Sequence, residues 1–136
     1  MIKIVIPLEP VAQGRPKFSS RSGFVKAYDP SKSRDYKKQV REIALEQYKE
    51  FPFASAVKID VTFYRRIQKS TTKTMYLKKL SGEILPIIKP DVDNYFKAVT
   101  DALKGIVWVD DNQITDVGMH KRYSDNPRTE INIWPL

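Results

Sequence analysis

Five aspartates lie close together in an otherwise basic chain, and their spacing suits metal-ion chemistry. They fall within residues 89–114, KPDVDNYFKAVTDALKGIVWVDDNQI, and are Asp91, Asp93, Asp101, Asp110 and Asp111. Five aspartates against three lysines give this window a net charge of −2, whereas the rest of the chain has 21 basic and 11 acidic residues, a net charge of +10. Negative and positive charge are therefore separated along the sequence.

A helix and a short buried segment are predicted to position these acids. Asp91 or Asp93 can cap a helix that runs to Lys104, because an aspartate side chain accepts hydrogen bonds from the first free N–H groups. The VWV run that precedes Asp110 predicts a short buried strand or extended segment. Asp110 and Asp111 would then lie where the chain leaves the core, at the end of a rigid element.

The acids could form a metal site. If the buried segment lies beside the helix N-terminus, Asp91, Asp93 and one of Asp110 or Asp111 converge. Three carboxylates at one point repel each other unless a cation neutralises them. A site built from oxygen ligands suits Mg²⁺ or, as a substitute, Mn²⁺, which bind a few carboxylates and keep waters for substrate phosphate.

A structural role for the acids is the main alternative. An acidic pair at a helix start is often only a cap with favourable placement in the helix macrodipole. Asp101 is predicted to pair with Lys97 or Lys104 at helical spacing. On this interpretation the protein is a nucleic-acid-binding module without catalysis. A third class, a metal-dependent transferase that uses the D-x-D pair on a nucleotide diphosphate, lacks a glycine-rich phosphate loop and leaves the excess positive charge unexplained.

Composition indicates which class of protein this is and which kind of partner it binds. A chain of 136 residues with 41% hydrophobic residues is typical of one globular domain. It has no cysteine, which excludes thiolate metal sites and favours a reducing compartment, and its one histidine cannot make a zinc centre alone. No apolar stretch approaches membrane-spanning length, so we expect a cytoplasmic protein without membrane contact. The net charge of +8 favours nucleic acid as the partner.

Two basic groups are candidates for contact with a phosphate backbone. The first lies in VAQGRPKFSSRSGFVKAYDP, a turn-rich segment with interleaved aromatic residues, and contains Arg15 and Lys17. It is predicted to be a loop or hairpin. The second contains Arg65, Arg66 and Lys69 and opens a weakly periodic segment, predicted to be either a short helix flanked by mobile loops or a lid.

Hydrophobic periodicity predicts the fold. Alternating apolar residues indicate four strands, near residues 2–8, 57–63, 114–123 and 131–134. Helical spacing indicates two main helices, one that starts at the Asp29-Pro30 cap and ends near Phe51-Pro52, and one over the acidic window. We expect a single small domain of the α/β (α+β) class, with a mixed sheet of about four strands packed against two main helices.

The acidic window resembles the RusA family of Holliday junction resolvases, the crossover junction endodeoxyribonucleases of bacteria and their phages. The shared motif is K-P-D-x-D-N-x-x-K-x-x-x-D-A-L, then W-x-D-D-x-Q-I, with P-x-x-x-G-R-P-K near the N-terminus. The resemblance implies that Asp91, Asp93 and Asp111 are catalytic metal ligands and that Lys97 acts at the active site. It also implies Mg²⁺-dependent cleavage of branched DNA, such as a four-way junction, by a homodimer.

Overall fold

The computed structural model describes residues 1–20, 23, 25–28 and 30–136, without the side chains of Lys17, Lys26 and Tyr28. The predicted cap at Asp29 lies outside these described residues. Within them the chain forms six strands and three α-helices. They are β1 (Ile2–Ile6), β2 (Lys17–Ser19), β3 (Lys26–Tyr28), α1 (Ser31–Gln47), β4 (Val57–Arg66), α2 (Lys73–Leu80), α3 (Val92–Leu103), β5 (Ile114–Ser124) and β6 (Arg128–Pro135).

The main sheet is mixed, with strand order β1-β6-β4-β5. Strand β4 pairs antiparallel with β6 and parallel with β5, and β6 also pairs antiparallel with β1. Strands β2 and β3 form a separate small hairpin in the basic segment. The predicted mixed sheet of four strands is confirmed, and the hairpin was one of the two forms expected for the basic segment.

One face of the sheet carries the core. From Val57 to Phe63, alternate residues of β4 are at most 1% exposed, whereas Lys58, Asp60 and Thr62 between them lie on the opposite face. The buried side chains pack against α1 and α3, and the rings of Phe63 and Tyr95 stack with centroids 5.1 Å apart. The alternation of apolar and polar residues in the sequence therefore arises because only one face of the sheet packs against the core.

One prediction about the helices was wrong. Helix α1 ends at Gln47 rather than near Phe51-Pro52, because Tyr48 is already extended. The residues after Tyr48 pair with another part of the chain instead of continuing the helix. The Phe53 N–H donates to the Val107 carbonyl at 2.8 Å. The described chain also has a third, short helix, α2, which begins at a Thr72 cap. This helix is one of the two forms predicted for the segment after β4.

The helix of the acidic window has the predicted ends. Asp91 is the N-cap of α3, and the chain turns after Leu103 at Gly105, whose φ of +81° favours glycine. The guanidinium of Arg41 on α1 donates to the Ala102 carbonyl at 2.9 Å and to the Lys104 carbonyl at 3.1 Å, which satisfies acceptors at the helix C-terminus. None of the described helices is long and apolar enough to cross a membrane.

Candidate active site

The N-terminus of α3 presents two carboxylates to solvent. Asp91 at the cap and Asp93 in the first turn are both exposed, and the Asp91 side chain does not cap the helix backbone. Among the residues that the structure describes, neither carboxylate has a hydrogen-bond or ion-pair partner. Lys97 lies one helical turn after Asp93 and is also exposed. The partial positive charge of the helix N-terminus favours anionic groups here.

The segment that leads into α3 is held by two cations from the sheet. Lys121 on β5 donates from Nζ to the Ile88 carbonyl at 2.8 Å and to the Pro90 carbonyl at 2.9 Å. Arg65 on β4 donates from Nη1 to the Lys89 carbonyl at 2.8 Å. The position of the helix start, and of the carboxylates on it, is thus set by residues of neighbouring strands.

Asp111 is oriented by a buried tryptophan. The indole Nε1–H of Trp108 donates to Asp111 Oδ1 at 2.8 Å, and Trp108 is fully buried. Trp108 follows the turn at residues 105–107 and makes isolated bridges to Phe53 and Lys104, so the predicted buried segment is present as single bridges and not as a full strand. Because the ring is fixed by the core, the hydrogen bond fixes the half-buried carboxylate of Asp111 with it.

Asp110 has a different set of contacts. It caps the 3₁₀ turn Asp111–Gln113, where its Oδ1 accepts from the Asp111 N–H at 3.0 Å and its own N–H donates to Gln113 Oε1 at 2.8 Å. Lys104 Nζ lies 3.0 Å from the same carboxylate, and this hydrogen bond holds the pKa of Asp110 below its usual value. Asp110 therefore has structural partners on both sides.

The predicted convergence of three acids is not present in the described chain. Among the described residues, no three Asp, Glu or His side chains lie close enough together to hold a metal ion. Asp111 is held towards Trp108 instead, and carboxylates that come together without a counter-charge repel each other. The oxygen donors nevertheless fit Mg²⁺, which needs only one or two protein carboxylates and completes its shell with water and substrate phosphate.

The predicted DNA-contacting residues fall at two places. Arg15 lines a cavity of about 460 Å³ together with Lys97. The backbone of Lys17 lies in β2, and its side chain is outside the described residues. Arg65 and Arg66 line a second cavity, of about 380 Å³, that Pro90 also lines, while Lys69 is exposed in the turn after β4. Arg65 and Arg66 therefore lie beside the segment that enters α3.

One predicted ion pair was wrong. Asp101 pairs with neither Lys97 nor Lys104. Its Oδ2 lies 3.6 Å from Nζ of Lys37 on α1. The packing of α1 against α3 brings this side chain closer than neighbours along the helix, a relation that helical spacing cannot reveal.

The chain matches the family model of endodeoxyribonuclease RusA over residues 7–134. It belongs to the RusA endodeoxyribonuclease family. It is also similar to the uncharacterized protein YqaN of Bacillus subtilis (strain 168), with 41% identity over 134 residues that cover 97% of this chain and 94% of the relative. The predicted resemblance is confirmed, and family membership makes the chain an endodeoxyribonuclease of the Holliday junction resolvase type.

Several residues that build this RusA-family site carry no local signal for their role. Gln113 donates from Nε2 to the carbonyls of Phe53 at 2.7 Å and Ser55 at 2.8 Å, so it ties the Asp110 turn to the segment before β4. Gln113 belongs to the W-x-D-D-x-Q-I motif, but its neighbours in sequence do not indicate these contacts. Lys121 contacts residues more than 30 positions away, and nothing around it in sequence identifies that contact.

Proposed function

We propose that this RusA-family protein is a Mg²⁺-dependent, structure-selective endonuclease that resolves four-way DNA junctions by paired phosphodiester hydrolysis. The observation that carries the proposal is the start of α3. Two exposed carboxylates without a protein partner among the described residues stand one turn from an exposed lysine. Carboxylates left unpaired in a chain with a net charge of +8 are better explained by a cation than by protein stability.

Asp91, Asp93 and Asp111 are the residues that would hold the metal, and because the described structure does not bring three acids together, at least one of them would bind it through a water ligand. Bound Mg²⁺, or Mn²⁺ in its place, would polarise a phosphoryl oxygen and activate water. Asp91 and Asp93 contribute oxygens that the helix backbone does not use. Asp111 contributes a carboxylate whose direction is set by Trp108.

The basic residues are proposed to have three roles: catalysis, DNA binding and positioning of α3. Lys97 opposes charge that develops on the scissile phosphate, or orients the attacking water, from its place beside the carboxylates. Arg15 and Lys17 bind the strand that is cut. Arg65 is already bonded to the Lys89 carbonyl, so its contribution is to hold the helix start as well as to add positive potential. Phosphate contacts of this kind position the DNA without reading its sequence.

The active form is proposed to be a symmetric homodimer. A four-way junction has two equivalent strands to cut, and each chain has one acidic window. Paired incision within a single complex therefore needs two copies, and twofold symmetry is the commonest way in which a small protein assembles. Sedimentation at micromolar concentration without DNA should give a mass near twice 15.8 kDa. A monomer that cuts both strands of one junction would contradict the pairing.

A synthetic four-way junction with and without Mg²⁺ tests the endonuclease proposal. Wild type should cut symmetrically related strands only with the metal, and Asp91→Asn and Asp93→Asn should bind the junction at least as tightly without cutting it. Asp116→Asn is the matched control, because Asp116 is an exposed aspartate on β5 outside this site. Binding without metal-dependent cleavage by the wild type would instead favour the non-catalytic nucleic-acid-binding module.

A further inference from the structure

A cavity of about 460 Å³ lies between the loop of residues 13–16, which precedes β2, and the solvent-facing side of α3. Residues 13–16 line it from the loop, and Asn94, Lys97 and Asp101 line it from the helix. Its volume is in the range of small-molecule sites, roughly 300–1,000 Å³. It opens beside the residues proposed to contact the scissile phosphate.

The walls of this cavity are fixed by contacts between three elements. The Gln13 N–H donates to the Asn94 carbonyl at 2.9 Å. Lys37 on α1, whose side chain is only 15% exposed, donates from Nζ to Gln13 Oε1 at 2.9 Å and lies 3.6 Å from Asp101 Oδ2. Gly14 packs closely on the start of α1: an added Cβ would lie 2.7 Å from Pro30 Cγ. The loop is therefore held against α3, and the cavity is a preformed feature.

The cavity is lined by side chains of both charges. Arg15 and Lys97 are cations that suit phosphate, whereas the carboxylate of Asp101 repels it. A carboxylate accepts hydrogen bonds from an exocyclic amino group, and the amide of Asn94 both donates and accepts. These are the groups that recognise a nucleobase. A strand whose phosphates meet the two cations would bring its base to Asp101 and Asn94.

We propose that this cavity receives the unstacked nucleobase that adjoins the scissile phosphate, and that the carboxylate of Asp101 determines which bases the cavity prefers. An ionised carboxylate has acceptors only, so it favours a base with an amino group on its Watson–Crick edge. Adenine, cytosine and guanine have that group, whereas thymine offers only its N3–H, between two carbonyl oxygens that a carboxylate repels. The inference rests on the proposed endonuclease function and adds to it a base preference at one position.

The first test varies one base. Four junctions with the same arms and a fixed crossover, which differ only in the nucleotide next to the scissile phosphate, are cut under single-turnover conditions. Wild type should cut the thymine junction about tenfold or more slowly, the range of one good base contact. In Asp101→Asn the four cleavage rates should become similar, because the asparagine amide can donate as well as accept hydrogen bonds. Asp116→Asn, an exposed acid outside the cavity, should keep the wild-type profile.

A second measurement does not depend on cleavage. The base analogue 2-aminopurine at the same position fluoresces more strongly when it leaves the stack, and this can be followed with EDTA present. Wild type should raise the fluorescence on binding, and Asn94→Phe, which fills the cavity from an exposed helix position, should bind the junction without that increase. Circular dichroism confirms that each variant folds.

The outcomes separate the inference from the function on which it rests. Equal rates for all four bases in wild type, or an unchanged profile in Asp101→Asn, would overturn the base site and leave the endonuclease intact. If no junction is cut with Mg²⁺, the proposed function fails, and the fluorescence result alone decides whether a base enters the cavity. An increase that persists in Asn94→Phe would place the unstacked base elsewhere.

Discussion

Replacing Asp111 by Asn should separate catalysis from folding. The carboxylate accepts a 2.8 Å hydrogen bond from Trp108 Nε1, and an Asn side chain can place its amide oxygen in the same position. A hydrogen bond to a charged acceptor is worth about 1.5–3 kcal/mol and one to a neutral acceptor about 0.5–1.5 kcal/mol, so the variant should lose about 1 kcal/mol of stability. For a chain of this length that is a Tm decrease of about 4 °C.

Cleavage should respond far more strongly than stability. Asp111 is proposed as a metal ligand, so Asp111→Asn should lower the single-turnover rate more than the 10–100-fold that is typical of residues around a metal centre. Junction binding in EDTA should be unchanged or tighter, because one negative charge that faces DNA is removed. The assay is single-turnover cleavage of a labelled four-way junction, with thermal unfolding of the same preparation.

Variants of two neighbouring residues serve as controls for Asp111→Asn. Asp110→Asn removes an exposed pair with Lys104, which is worth little, so cleavage should stay near wild type. Trp108→Phe removes the N–H donor from a fully buried ring, so stability should fall by about 2 kcal/mol or more, with cleavage reduced because Asp111 is no longer oriented. The reasoning is refuted if Asp110→Asn abolishes cleavage while Asp111→Asn retains it.

Three further predictions concern other parts of the chain. Lys97→Ala should lower the single-turnover rate more than the affinity, and the reverse pattern would make it an ordinary phosphate anchor. Replacing Arg15 and Lys17 together by Ala should flatten the salt dependence of binding by about two units of slope, at roughly 0.9 per contact; an unchanged slope would move the strand-binding surface elsewhere. Burial raises the pKa of Tyr36 to about 12 from the ordinary tyrosine value of 10.0, so its contribution to stability is complete below pH 10 and is lost as pH rises through 12. Urea titrations should show a loss of up to about 3 kcal/mol in wild type that Tyr36→Phe lacks, and parallel curves would contradict this.

The sequence predicted the elements whose signals are local. The alternation of β4 was predictable because each second side chain of a strand meets the core. The C-terminal end of α3 was predictable because Gly105 adopts the positive φ that the turn requires, whereas Asp91 marks the N-terminus without the side-chain cap that the sequence predicted. Charge counting alone also separated the acidic window from the basic chain. These properties depend on residues within a few positions of each other.

Only the tertiary structure decided which partners the functional side chains have. Asp101 meets Lys37 and not a lysine of its own helix, and the carbonyls before α3 are held by Arg65 and Lys121 from two strands. The predicted end of α1 was also wrong, because Phe53 bonds to the backbone of Val107 although local spacing had extended the helix to Phe51-Pro52. Such contacts join residues tens of positions apart. Local periodicity carries no information about them, because they form only when the sheet order and helix packing bring those elements together.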